Sequence, residues 1–168
     1  MLVATAAGHI EVDPFGAGAP RVLLLPGALG ALDRLVRLGA LLAEAGLSGW
    51  LVRPRGLGRS EGPLEGITLH DLAADVIDVI DSCATGPMVL LGVAFGARLA
   101  RCVAADAPER VSRLVLLGAG GGAPAQPEAA RAMEVALDPA RTRAERATAM
   151  RIAFLAPESP VEGLVVSD

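Results

Sequence analysis

Hydrophobic residues along this chain fall into two kinds of run: short unbroken blocks, and longer stretches at helical spacing. The blocks Val22-Leu23-Leu24-Leu25, Trp50-Leu51-Val52, Met88-Val89-Leu90-Leu91 and Leu114-Val115-Leu116-Leu117 contain no charged residue. A strand that reads this way is buried on both faces, as in a parallel sheet covered by helices on each side. Between the blocks, Leu32, Leu35, Val36, Leu38 and Leu42 recur at helical spacing within 32–45, and Leu69, Leu72, Val76, Val79 and Ile80 make a second stripe. A third helix is predicted after Gly96, running to about residue 105, with Pro108 ending it. Strand, helix, strand, helix, strand, helix, strand is the alternation of a doubly wound, mostly parallel sheet.

Local signals refine the boundaries. Residues 2–6 and 9–12, separated by Ala7-Gly8, predict a hairpin, and the stretch from Asp13 to Pro20 reads as a linker rich in glycine and proline. Gly46 suits the position after a helix end. Thr68-Leu69-His70-Asp71 is a capping-box variant, and Asp33 favours the positive end of its helix. From about Ala123 the character changes: Asp138-Pro139 is predicted to open a helix containing Arg141, Arg143, Arg146 and Arg151. Gly163-Leu164-Val165-Val166 is too short to count as a further strand. The expected division is therefore a six-stranded core over 1–122 and a cap-like helical segment over 123–168.

Composition narrows the function classes. The 168 residues are 52% hydrophobic and 20% charged, so the chain buries a sizeable core. A net charge of -4, a pI near 5.2 and 2% aromatic residues argue against nucleic acid as a partner. No stretch of 18 residues escapes glycine, proline or charge punctuation, so no membrane span is predicted. The N-terminus has no Lys or Arg before Arg21 and is unlike a signal peptide. Cys83 and Cys102 show no metal-ligand spacing and read as reduced packing residues, which favours a cytoplasmic protein. No metal and no cofactor is implied.

The chemistry-bearing stretch is Gly92-Val93-Ala94-Phe95-Gly96, which closes a strand block and opens a helix. With Leu23-Leu24-Leu25-Pro26-Gly27, Pro54-Arg55-Gly56-Leu57-Gly58-Arg59-Ser60 and Pro108-Glu109-Arg110-Val111 before Leu114–Leu117, it resembles the α/β-hydrolase superfamily. It is similar to the branch of small esterases, lactonases and related C–C hydrolases. The resemblance covers residues 1 to about 122 well and 123–168 loosely. It implies an α/β-hydrolase sheet, incomplete in this chain, followed by the start of a helical cap. In the family's nucleophile elbow, G-x-S-x-G, a sharp strand-to-helix turn lifts a serine above the sheet. Ala94 holds the serine position, and a methyl group cannot attack a carbonyl. The resemblance maps the two oxyanion-hole N–H donors onto Phe95 and Ala28 and the substrate pocket onto Leu29, Val93 and His70. Its acid and histidine come from later strands, which these residues do not include.

Other candidates are weaker. His9 and His70 both precede the elbow, against the family's order of serine, acid, histidine. His9 sits on an early strand, while the first turn of the helix carrying His70 is expected on the same sheet edge as the elbow. Ser60 lacks an evident base and reads as a turn-stabilising hydroxyl. Gly118-Ala119-Gly120-Gly121-Gly122-Ala123 approximates a dinucleotide fingerprint, but Pro124 and Pro127 interrupt the helix that motif requires. The sequence therefore supports a hydrolase lineage acting on small ester, lactone or similar carbonyl substrates, a pseudoenzyme as written. The alternative is a non-catalytic binding or assembly module that keeps the oxyanion pocket. Strand 114–117, lacking later strands beside it, predicts self-association through an exposed sheet edge.

Overall fold

The structure, a computed structural model, describes residues 1–27, 32–120 and 126–154. In chain order its elements are β1 (Leu2–Thr5), β2 (Gly8–Phe15), β3 (Val22–Leu25), α1 (Leu32–Glu44), β4 (Gly49–Arg53) and α2 (Leu69–Cys83). They continue with β5 (Met88–Val93), α3 (Phe95–Asp106), a 3-10 turn (Pro108–Arg110), β6 (Val111–Leu117), α4 (Pro127–Leu137) and α5 (Arg143–Phe154). Ala28, Leu29, the end of the glycine run at 121–123 and the short apolar run 163–166 lie outside the described residues. The chain forms two compact units, Met1–Gly120 and Gly121–Asp168.

The first unit is one six-stranded sheet in the order β1-β2-β4-β3-β5-β6. Strands β4, β3, β5 and β6 run parallel, and β1 and β2 join antiparallel at one side. Alternation along β3 explains why its residues are all apolar. Leu23 and Leu25 face a core shared with Val76 and Ile80 of α2 and Leu99 and Val103 of α3. Val22 and Leu24 face a second core with Leu35 of α1. Helices thus cover both faces, as a doubly wound sheet requires.

Caps fix the helix ends. Leu47 N–H donates to Leu42 O and Gly46 N–H to Ala43 O, the paired bonds of a Schellman ending after α1. At α2 the capping box is complete, with Asp71 N–H donating to Thr68 Oγ1 and Thr68 N–H to Asp71 Oδ2 at 2.8 Å. The Thr68 hydroxyl, donating to Asp71 Oδ2 at 2.6 Å, and after it the Thr68 N–H hold the Asp71 carboxyl below its ordinary range.

Four expectations are corrected. The hairpin turns at Ala6-Ala7, because Thr5 pairs with Gly8. Asp13, Pro14 and Phe15 belong to β2 rather than to a linker, pairing with Leu51, Trp50 and Gly49. Val12 exchanges backbone bonds with Met1 on the β1 side, so Pro14, two residues on, turns its missing N–H to that side beyond the end of β1. Asp138-Pro139 lies between α4 and α5 and does not start a helix; Asp138 accepts from Ala140 and Arg141 N–H. The stronger start signal is Thr142-Arg143-Ala144-Glu145, a capping box in which Glu145 N–H donates to Thr142 Oγ1 and Thr142 N–H to Glu145 Oε2. Lastly, Leu114 to Leu117 are not buried but 38–44% exposed; β6 is the last strand of the sheet, and among the described residues it pairs with β5 alone.

Candidate functional site

The elbow is built as a sharp turn between β5 and α3. Ala94 adopts φ 50° and ψ -106°, and it is the one non-glycine with positive φ among the described residues. Such a backbone costs about 1–3 kcal/mol in a residue with a Cβ. Surrounding contacts hold it there. Ala94 N–H donates to Leu117 O at 2.8 Å, and Ala97 N–H to Ala94 O at 3.1 Å. The flanking glycines are sterically required: a Cβ on Gly92 would stand 2.2 Å from Gly96 O, and one on Gly96 would stand 2.0 Å from Leu25 O. The turn is thus pressed against the end of β3, with Ala94 exposed.

Around it, Val93 and Phe95 are half-buried, and Pro26 and Gly27 are buried at the end of β3. Phe95 opens α3, so its N–H is one of the four that a helix leaves without an intrahelical acceptor. Neither histidine stands at the elbow. His9 lies on β2, which β4 and β3 separate from β5, roughly 14 Å by strand spacing. His70, whose side chain is 73% exposed, contacts Cys102 and Asp106 toward the far end of α3. Cys102 is eight positions beyond Ala94, about 12 Å along the helix. Asp33 sits in the first turn of α1. Ser60 is 7% exposed and fully engaged, its hydroxyl donating to Arg53 O at 2.6 Å and accepting from Glu11 N–H at 2.8 Å.

Sequence reasoning missed the network that carries the 54–60 loop. Arg55, its side chain 6% exposed, pairs with Asp75 of α2 at 2.6 Å and donates to Pro63 O and Asp71 O. Thr5 adds a hydroxyl bond to Asp75. Arg59 clamps Glu11 through its backbone N–H at 2.8 Å and its Nε at 2.9 Å. Those contacts, the Arg59 N–H foremost, hold the Glu11 carboxyl below its ordinary range. The arginines of Pro54-Arg55-Gly56-Leu57-Gly58-Arg59-Ser60 therefore anchor the loop to β2 and α2. A basic residue facing an acid some 20 or 48 positions away leaves no local periodic signal.

The structure also joins residues that the sequence kept apart. His70 Nδ1 lies 2.8 Å from Asp106 Oδ2 and 3.3 Å from Cys102 Sγ. A cysteine-histidine-acid relay needs one ring nitrogen for the thiol and the other for the acid. Here both contacts fall on Nδ1. Burial, and after it the Asp106 carboxylate, push the Cys102 thiol up, away from the thiolate a nucleophile needs. Cys83, also driven by burial, is raised to about 11.

Among the described residues, no helix is long and apolar enough to cross a membrane. The sequence profile of the alpha/beta hydrolase fold matches residues 20–153. The chain is 38% identical over 114 residues to a protein of Variovorax paradoxus named as a carbamate hydrolase, RutD, covering 66% of this chain and 42% of that protein. It is 35% identical over 123 residues to the 2-hydroxy-6-oxononadienedioate/2-hydroxy-6-oxononatrienedioate hydrolase of Burkholderia vietnamiensis, covering 70% of this chain and 42% of that one. The chain thus spans less than half the length of these relatives. Among solved structures, Est816, an N-acyl homoserine lactone degrading enzyme, is similar with a TM-score of 0.63 and 26% identity over 80% of this chain and 52% of its own. A mostly parallel sheet with helices on both faces, a strained elbow between two sterically required glycines and a profile match over most of the chain lead to one conclusion: this chain belongs to the alpha/beta hydrolase fold family.

Proposed function

We propose that this chain comes from a hydrolase lineage acting on small ester, lactone or related carbonyl substrates, and that Ala94 leaves it catalytically impaired. The observation that carries this reading is the elbow itself, whose strained backbone is retained around a methyl group. In this proposal the Phe95 and Ala28 N–H groups form the oxyanion pocket, and Leu29 and Val93 line the substrate side. Backbone donors survive any side-chain change, since every residue but proline has an N–H. His70, held toward the other end of α3, has no part in it. The relatives' names support the substrate class, each denoting hydrolysis of a small molecule or breakdown of a lactone. Without a nucleophile and an oriented base, binding and oxyanion stabilisation alone supply a residual acceleration of about 10³–10⁴. The test is hydrolysis of a p-nitrophenyl ester by the chain and by Ala94→Ser, which restores the alcohol but not the base. Neither is expected to show a burst or saturation; both features in the unmodified chain would overturn the reading.

One observation favours assembly as a second role. Strand β6 presents Leu114, Val115, Leu116 and Leu117 at 38–44% exposure along an edge that no described residue pairs with, a template for pairing with another chain. A second copy of this chain completes the sheet there. Sedimentation at tens of micromolar is expected to show a dimer that Val115→Lys dissociates, and a strictly monomeric unmodified chain would refute this role.

A further inference from the structure

Outside the elbow, and among the described residues, three metal-ligating side chains meet: His70, Cys102 and Asp106, whose ligand atoms all lie within 4.8 Å of one another. We propose that these three residues form a binding site for a divalent ion of the zinc class, joining the start of α2 to the end of α3.

Local structure supplies the ligands. Cys102 and Asp106 are four positions apart on α3 and so share one face. His70 comes from the first turn of α2, which packs against that helix. The separations are 2.8 Å for Nδ1 to Oδ2, 3.3 Å for Nδ1 to Sγ and 3.6 Å for Sγ to Oδ2. Tetrahedral bonds of about 2.0–2.3 Å place nitrogen, oxygen and sulfur ligands about 3.3–3.6 Å apart. Two of the three separations already fall in that interval, and the third opens when the ion replaces the imidazole-carboxylate hydrogen bond. That both neighbours converge on the same ring nitrogen defeats a relay but suits a common central ion.

Donor chemistry selects the ion. One sulfur, one imidazole and one carboxylate match zinc and its borderline neighbours, whereas calcium and magnesium take oxygen ligands. Cys102 is 8% exposed, so it is a fixed inner ligand, while the His70 side chain at 73% and Asp106 at 30% leave the outer side to solvent. Water fills the fourth position. Coordination moves the Cys102 thiol proton to solvent, one per ion, leaving a thiolate, a neutral imidazole and a carboxylate around the cation. The two negative ligands then balance its charge.

The experiment is anaerobic titration of the whole chain with Co²⁺. One ion per chain is expected, with a thiolate-to-cobalt charge-transfer band in the near ultraviolet and the visible bands of a four-coordinate ion, both bleached by Zn²⁺. Cys102→Ser should abolish the charge-transfer band. His70→Ala, at an exposed position, should keep the fold by circular dichroism and weaken binding at least about tenfold. Cys83→Ser should change nothing. Zn²⁺ at a hundred times its dissociation constant should raise the unfolding temperature by about 5–10 °C, a shift His70→Ala removes. No charge-transfer band with excess Co²⁺ would overturn the proposal, as would a band that survives Cys102→Ser or disappears with Cys83→Ser.

Discussion

Replacing Ala94 with glycine should make the protein more stable, a direction opposite to that of most glycine substitutions. At φ 50° and ψ -106° the alanine Cβ is strained, at a cost of about 1–3 kcal/mol. Glycine relieves that strain but loses more backbone freedom on folding, which opposes by about 0.5–1 kcal/mol. Ala94 is exposed, so removing its methyl sacrifices little burial. The balance is a stabilisation of about 1 kcal/mol, which for a domain of this size raises the melting temperature by about 2–4 °C. With a urea slope of about 1–3 kcal/mol per molar, the midpoint rises by about 0.3–1 M. Trp50, the only tryptophan in the chain, lies in β4, so its fluorescence follows the sheet unit. Gly96→Ala is the control, because its Cβ would meet Leu25 O at 2.0 Å and the loss should be about 3 kcal/mol or more. If Ala94→Gly lowered the midpoint instead, the elbow would not be strained and the reading of this turn would fail.

Two further outcomes follow from the loop anchors. Asp75→Ala strands the buried Arg55 guanidinium and should destabilise by about 3–5 kcal/mol, read by the same urea transition; a loss below about 1 kcal/mol would show that Arg55 reaches water instead. Glu11 has its native pKa held below the ordinary 4.5, so its contribution is complete above that value and is lost as pH falls through the lowered one. Glu11→Gln should therefore be less stable than the unmodified chain near neutral pH, and the gap should close as pH falls through the lowered Glu11 pKa. A constant gap across that range would refute the linkage.

Legibility in the sequence followed the range of the interactions. The apolar blocks of β3, β4 and β5 and the stripes of α1 and α2 were readable because each is set by local periodicity and the core behind it. The elbow was readable through its resemblance to G-x-S-x-G, and the structure shows why its glycines Gly92 and Gly96 are needed: a Cβ on either would meet backbone. What escaped depends on partners distant in the chain. Pro14 passes for a linker residue until β1 is seen to stop short of it, and Leu114–Leu117 look buried until β6 is seen to be the last strand of the described sheet. The start of α5 was misplaced because Asp138-Pro139 competes with Thr142 and Glu145 as a helix signal, and only the hydrogen bonds decide between them. Cys102 and His70, 32 positions apart, meet only through helix packing.

The most direct test of the central claim is reaction of the intact chain with a fluorophosphonate probe followed by intact mass measurement. The claim is that this elbow keeps its backbone while lacking an activated nucleophile, with Ser60 Oγ committed to Arg53 O and Glu11 N–H. The predicted result is an unmodified mass at equimolar and excess probe. Stoichiometric addition at Ser60, or at any other serine of the chain, would contradict it.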